Sequence, residues 1–442
     1  MAEQARATMS SANEARAGRS DYDVAIVGAS LAGCAAAISY GRAGMRVALL
    51  EKRPDPAAFK RICTHYIQAS AIGSLERLDL LEPMMGLGAV RSRVRMRTPW
   101  GWVEPTERSK VPSGVNLRRE ILDPFIRQTA ADAPGVDLML GQTVEELVRD
   151  REAVAGLMAS DSHGKSTTLR ARLVVGADGR GSRVAELAGV RTKTVKHGRI
   201  AYGAYFEGPP PPTAPDAVLW MLDPDMVGLF PTDRELYFYA CMPTSERLAD
   251  FRKDPLASLV SLVSSVPDAP PIGESRPVGP VQGKLDMTNV AHTPSAPGLA
   301  LVGDAALAID PLWGVGCGWA LQSSEWLTDS TIPALRGEEP LRRGLTRYRR
   351  LHARRLRGHA ALIYDYASGR KFTGFERALF SAASRDERVA RTFEAFGTRS
   401  IGPARMFATT VPRLAWLEAR RRVSKLTPSS RADGARAEVK SA

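Results

Sequence analysis

The sequence predicts an α/β protein: a Rossmann-like parallel-sheet domain, an inserted antiparallel β-sheet domain, and helices at the C-terminal end. Three observations predict it. At 21–53 an apolar strand, a glycine turn and an alanine-rich helix follow one another. Two further apolar runs feed glycine turns and helices at 173–190 and 298–330. Between those two, residues 197–285 are aromatic and β-branched segments separated by proline-rich turns such as "GPPPPTAP". Repeated strand–turn–helix units give a parallel sheet, whereas short strands with frequent turns give an antiparallel one.

Taken in chain order, residues 1–20 lack the apolar segment of a secretory signal and are expected to be a disordered tail. The nucleotide-binding domain is expected at 21–196, interrupted by the β-sheet domain at 197–285 and resumed at 286–335. Arginine-rich helices are expected over 336–425 and a second disordered tail over 426–442. Within "DYDVAIVGASLAGCAAAISYGRAGMRVALLEKR", residues 24–27 suit a buried parallel strand. Ala35, Ala36 and Ala37 let the next helix lie close to the sheet. The turn reads Gly28-Ala-Ser30-Leu31-Ala32-Gly33, with serine where the fingerprint has its second glycine. Free N–H groups and a partial positive charge at the helix start suit a pyrophosphate. Glu51, followed by Lys52, closes the second strand at the distance where a carboxylate binds ribose hydroxyls. Strand, helix and acid together indicate a dinucleotide site, and this motif alone fits NAD or FAD.

The later runs add Asp178-Gly179 in "LVVGADGRGSRVAELAGV" and Gly303-Asp304 in "GLALVGDAALAIDPLWGVGCGWALQ". With these three motifs in this order, residues 21–335 resemble the FAD-dependent oxidoreductases of the p-hydroxybenzoate hydroxylase fold: aromatic hydroxylases, geranylgeranyl reductases and flavin-dependent halogenases. The resemblance implies FAD, with Asp304 on the ribityl hydroxyls and Asp178 in the "DG" motif, Arg183 following it. Pro311, Gly314, Val315 and Gly316 match the "DPxxGxG" segment, where a helix begins beside the pyrimidine edge of the flavin. N–H groups there can stabilise negative charge on the flavin, which makes Pro311, Gly314 and Gly316 candidate catalytic positions. "NLRREILDPFI" resembles the "RxxLDxxL" helix start, with Arg119 as the cofactor-holding arginine and Arg118 as a competing register.

In the inserted domain the resemblance implies a substrate cavity under the sheet. "MVGLFPTDRE" offers Phe230 and Pro231, with Trp220, Tyr237, Tyr239 and, from the "DPLWG" segment, Trp313 as further lining candidates. "PWGWVEP" (99–105) approaches the WxWxIP motif of tryptophan-type halogenases but lies too early, carries Glu104 in place of isoleucine, and reads as a hairpin turning at Gly101.

"KRICTHYIQASA" (60–71) places Cys63, Thr64 and His65 side by side. No other Cys or His is near enough in sequence to complete a metal site, and no metal is expected. Residues two apart seldom face each other, which disfavours a Cys–His nucleophile pair. The resemblance makes this a flavin-facing loop, with Arg61 a cofactor contact and His65 a candidate proton donor. Covalent flavin attachment through Cys63 or His65 is a further option.

The chain has 442 residues, 44% hydrophobic and 25% charged, as an ordinary soluble protein does. Four scattered cysteines argue against a disulfide framework, and the cytoplasm is the expected compartment. The net charge of +13 gathers in the arginines of 341–359 and 418–425. These read as the solvated faces of helices or, more sharply, as a docking surface for a membrane, an acidic carrier protein or an anionic substrate. No nucleic-acid motif accompanies them.

The function expected from the resemblance is an FAD-dependent monooxygenase of natural-product metabolism, hydroxylating or epoxidising through a flavin C4a-hydroperoxide. Its partners are molecular oxygen and a small substrate, free or carrier-bound. NADPH, NADH or a partner flavin reductase supplies electrons, and the oligomeric state stays open. Alternatives are a reductase or desaturase of geranylgeranyl reductase type, a halogenase, and a flavoprotein without turnover that acts as sensor or scaffold.

Overall fold

The computed structural model describes residues 21–426. The two expected terminal tails lie outside the described residues, apart from Leu426, the last residue of a helix.

The strand Tyr22–Val27 sits inside a parallel sheet, paired with Val47–Glu51 on one side and Ser166–Gly176 on the other. Val136–Leu140 and Leu299–Leu301 continue the sheet in parallel outward from these two neighbours, and Ser295–Ala296 closes one edge antiparallel. Ala25 is in register with both Ala48 and Val174. Val24, Ala25 and Ile26 are completely buried, which is why the strand reads as a continuous apolar run without alternation. The helix Leu31–Arg42 packs on the sheet through its alanines. A Cβ on Gly33 would stand 1.8 Å from the Gly28 carbonyl oxygen, so only glycine lets the helix begin this close to the turn.

A second, seven-stranded sheet is ordered Arg276–Lys284, Ala201–Glu207, Tyr237–Met242, Met226–Pro231, Ala217–Met221, Val94–Thr98 and Gly101–Val103. Its last two strands come from well before the others in the chain and form a hairpin in which Thr98 faces Gly101, at φ +129°. Side chains alternate across this sheet. Val218, Trp220, Tyr237 and Tyr239 face the helix Pro255–Ser264, whereas Met96, Leu219, Phe230 and Phe238 face the C-terminal helices.

Those helices are Leu341–Ala367, Gly374–Ala383, Glu387–Gly397 and Pro403–Leu426. In the first of them Tyr348, His352 and Leu356 are buried while Arg349, Arg350, Arg354 and Arg355 are exposed, the pattern of a solvated charged face. Among the described residues no helix is long and apolar enough to cross a membrane.

Candidate functional site

Four segments converge beside the parallel sheet: the turn at 28–33, the irregular stretch 52–65, the start of the helix Arg119–Ala131, and the run from Gly303 to the helix Gly316–Leu335. Gly28 has φ +104°, and a Cβ there would stand 2.5 Å from the Ala177 carbonyl oxygen. Ser30 is the N-cap of the helix Leu31–Arg42 but gives no side-chain cap, so the first N–H groups, from Leu31 to Gly33, point outward without that partner. The Ser30 hydroxyl is instead held by Arg119, whose Nη2 donates to it at 2.8 Å. Glu51 accepts from the Ala29 N–H at 3.0 Å and from Arg53 Nε at 2.9 Å. Burial opposes ionisation of Glu51, but these hydrogen bonds outweigh it and hold the carboxyl below its ordinary range. Lys52 is exposed.

Arg119 is the centre of a buried charge cluster. Its guanidinium pairs with Asp123 at 2.6 Å, one helical turn on, and Asp123 also accepts from the Lys60 backbone N–H at 2.9 Å. Lys60 Nζ reaches Asp304 at 3.3 Å. Burial again raises the Asp304 carboxyl, but Lys60, Arg180 and Arg119 together outweigh it and hold the group below its ordinary range. Arg118 points elsewhere, to Asp233 at 2.8 Å, which separates the two registers offered by the sequence. Arg127, 1% exposed, donates to the carbonyls of Ala29 at 3.0 Å and Ala58 at 2.8 Å, and to that of Pro56, clamping the first turn to the irregular stretch.

Gly303 (φ +57°) donates its N–H to Ser323 Oγ at 2.9 Å. Pro311–Trp313 forms a single tight turn, Gly314 follows at φ +59°, and Val315 leads into the helix beginning at Gly316. A Cβ on Gly314 would come no closer than 3.9 Å to Thr64 Oγ1 and Tyr66, so this turn borders the stretch that carries Cys63 to His65. Asp310 caps the turn by accepting from the Leu312 N–H at 2.8 Å. Its other carboxylate oxygen is buried without a partner, and burial holds this acid above its ordinary range.

His65 does not have the freedom of a proton donor. It is 1% exposed at φ +64°, its Nδ1 accepts from the Arg119 backbone N–H at 3.1 Å, and its Nε2 meets the Tyr205 hydroxyl at 2.5 Å. Because Nδ1 accepts, Nε2 carries the proton and donates to the tyrosine. Burial lowers its pKa to about 4, so the ring is neutral and both nitrogens are engaged.

Other expected residues fall outside this cluster. Asp178 caps the helix Arg183–Ala188, accepting from Ser182 Oγ at 2.6 Å and the Val184 N–H at 3.0 Å; Gly179 beside it faces open space. Arg183 pairs with Glu186 at the surface. Arg61 is exposed and makes no hydrogen bond or ion pair with the described residues, whereas Lys60 next to it reaches Asp304.

On the far side of the Trp313–Gly314 turn lies a cavity that is partly open to solvent. Met96, Val103, Leu219, Phe230, Leu312, Trp313 and Phe393 make it mainly apolar, with Gln68 and the ion pair Arg93–Glu394 (2.5 Å) among its polar features. Phe230 and Trp313 line it as expected. Trp220 does not: it is one residue out of phase with Leu219, packs on the opposite face, and gives its indole N–H to the Pro267 carbonyl at 2.9 Å. Pro231, in register with Tyr237, falls on that same far face, as do Tyr237 and Tyr239. Trp100 and Trp102 are half-buried and line no part of the cavity.

The geometry is that of a charged cleft with an uncapped helix start at one end and a glycine turn against an apolar cavity at the other. The FAD binding domain family matches residues 21–361. The chain belongs to this family. It is an FAD-dependent oxidoreductase of the p-hydroxybenzoate hydroxylase-like superfamily. This flavoprotein is 28% identical to the digeranylgeranylglycerophospholipid reductase of Methanocella arvoryzae over 339 residues, 75% of this chain and 82% of that one. With the ubiquinone hydroxylase UbiL of Rhodospirillum rubrum it shares 26% over 345 residues, 71% of this chain and 73% of that one. The structure of the flavin-dependent brominase Bmp2 superposes with a TM-score of 0.71 over 91% of this chain and 99% of that chain, at 18% identity, a likeness of fold.

The residues present fit FAD. Uncapped N–H groups and Ser30 suit a pyrophosphate, Glu51 a ribose, and Asp304, paired with the half-exposed Lys60 side chain, a row of hydroxyls. Sequence reasoning missed Lys60, Asp123, Tyr205, Phe238 and Cys317. Of these, Asp123 carried a legible signal, an acid four residues after Arg119 on one helix face.

Proposed function

We propose that this flavoprotein is a monooxygenase that hydroxylates or epoxidises a largely apolar, aromatic or olefinic small molecule of natural-product metabolism. One observation carries the reading: the apolar cavity shares the Trp313–Gly314 turn with the cofactor cleft, so a substrate held against Phe230 and Leu219 would lie beside the cofactor. FAD, reduced by NADPH, NADH or a partner reductase, supplies the redox chemistry and the activation of oxygen when bound.

The protein's contribution is placement. Arg119, Ser30, Asp304 and the N–H groups at the start of the helix Leu31–Arg42 would hold the cofactor, and the N–H groups around Gly314 to Gly316 would face its charged edge. His65, neutral and doubly engaged, positions the Arg119 backbone and supplies no proton. Gln68 donates to the Trp313 carbonyl at 2.9 Å and leaves its own buried carbonyl oxygen unpartnered beside the cavity, an acceptor suited to a substrate hydroxyl or N–H. Four free thiols suit a reducing compartment such as the cytoplasm.

A reductase of carbon–carbon double bonds is the second reading, supported by the named reductase relatives and by Cys63 in the stretch facing Gly314. The purified chain loaded with FAD and given NADPH and a panel of hydroxyaromatic and prenylated compounds separates the two. A monooxygenase consumes oxygen in step with a product heavier by one oxygen atom. A product that gains two hydrogens without oxygen overturns that reading in favour of the reductase. A chain that cannot be loaded with FAD overturns both.

A further inference from the structure

Cys63 and Cys317 are separated by 254 residues, yet their sulfurs lie 3.7 Å apart. Cys63 sits in the irregular stretch before His65, and Cys317 in the first turn of the helix Gly316–Leu335. The pair packs at the margin of the hydrophobic core under the parallel sheet and also has polar neighbours. The His65 backbone N–H donates to Cys63 Sγ at 3.2 Å, and Arg119 Nη1 stands 3.9 Å from both sulfurs. The other two thiols differ: Cys34 and Cys241 are completely buried, and burial drives both well above the ordinary thiol range.

We propose that Cys63 and Cys317 are a peroxide-oxidisable dithiol built into the cofactor cleft, cycling between two thiols and one disulfide. A disulfide needs its sulfurs about 2 Å apart, so closing the pair takes a shift of under about 2 Å, on the side where Cys63 lies in irregular chain. The roles of the two sulfurs are unequal. A hydrogen bond from the Cys317 thiol, together with the cations Arg119 and Lys60, favours the Cys63 thiolate in spite of its burial, while Cys317 keeps its proton. Cys63 is the half-buried member and the attacking one; Cys317, 7% exposed, is the resolving one.

The chemistry balances with hydrogen peroxide as oxidant. The Cys63 thiolate attacks one peroxide oxygen, the O–O bond breaks, and the leaving hydroxide takes a proton to become water, giving a sulfenic acid at Cys63. The Cys317 sulfur gives up its proton and attacks the Cys63 sulfur; the S–O bond breaks and a second water leaves. Two thiols and one peroxide become one disulfide and two waters, and an external dithiol restores the thiols. The oxidised form staples the stretch carrying Lys60 and His65 to the helix that starts at Gly316. This inference is independent of whether the flavin transfers oxygen or hydride.

The test uses the full chain, with and without FAD, exposed to hydrogen peroxide, alkylated with N-ethylmaleimide and digested with trypsin. The expected result is a mass lower by two hydrogens and a linked pair of peptides, 62–77 and 285–336. The link disappears with dithiothreitol, and Cys34 and Cys241 are recovered as thiols. In Cys317→Ser the sulfenic acid at Cys63 persists and is trapped by dimedone; Cys317→Ala serves if the serine variant folds poorly. The proposal is overturned if both thiols stay open to alkylation under conditions that convert free cysteine to cystine. It is equally overturned if the product at Cys63 is the same with and without Cys317.

Discussion

On the cofactor side of the turn at 311–314, Arg119, Asp123, Lys60 and Asp304 form a chain of charges, each answered by an opposite charge within 3.3 Å. On the substrate side, Met96, Leu219, Phe230 and Phe393 line a partly open cavity, and the polar atoms there are incompletely satisfied. Gln68 keeps a free carbonyl oxygen; in the Arg93–Glu394 pair, Arg93 Nε and one Glu394 oxygen have no partner. The difference teaches where each region's specificity lies. The cleft is organised in advance for one phosphate-bearing group, so its charges brace one another. The cavity waits for a molecule to complete its hydrogen bonds, so its affinity depends on what enters.

The largest effect should come from breaking the bracing. In Arg119→Met the fully buried Asp123 carboxylate loses its partner, and the FAD-free protein should lose about 3–5 kcal/mol in a denaturant titration. Arg119→Lys should recover part of this. A loss below about 1 kcal/mol would mean that the cluster is more hydrated than its burial implies.

Between the two regions, His65 gives a pH signature. A histidine titrates near 6.5 when unfolded and at about 4 in this fold, so between these values the unfolded chain binds more protons. Stability should fall as pH drops from 6.5 to 4, by up to ~3 kcal/mol from this residue, and be unaffected above 6.5. His352 and His359, lowered by burial to about 4 and about 3, share the trend. The contribution of His65 is therefore read as the difference from His65→Asn, asparagine being at ease with positive φ. Parallel pH curves for the two proteins would remove His65 from the account.

The smallest effect belongs to the cavity. Gln68→Leu removes the donor to Trp313 and the free acceptor together, so substrate KM should rise about tenfold, near 1.4 kcal/mol, with FAD affinity kept. An unchanged KM would assign Gln68 to structure alone.

Much of the cleft was legible because its signals are consecutive. Gly28, Ser30 and Gly33 lie in one turn, Glu51 ends the next strand, and Gly303-Asp304 follows another, so backbone geometry and chemistry are written together. Where the expectation rested on aromatic content, the reading slipped by a residue: Leu219 takes the cavity position expected of Trp220, and in the irregular stretch it is Lys60, not the neighbouring Arg61, that pairs with Asp304. Irregular chain has no repeat to fix which side chain turns inward. In the sheet one step of alternation exchanges the faces, and aromatic content does not say which face is which.

The resemblance carried by three separated motifs implied the cofactor class, and by itself the sequence determined the parallel-sheet domain, the dinucleotide turn and the aromatic sheet that follows. These rest on local steric and hydrophobic patterns a few residues long. Tertiary structure alone decided that the hairpin at 94–103 completes the second sheet. It also decided that His65 is locked by Tyr205 from 140 residues away, and that Cys63 meets Cys317 across 254. The physical reason is the same in each case. A contact between distant segments is set by how whole elements pack, and packing leaves no mark in the spacing of either partner.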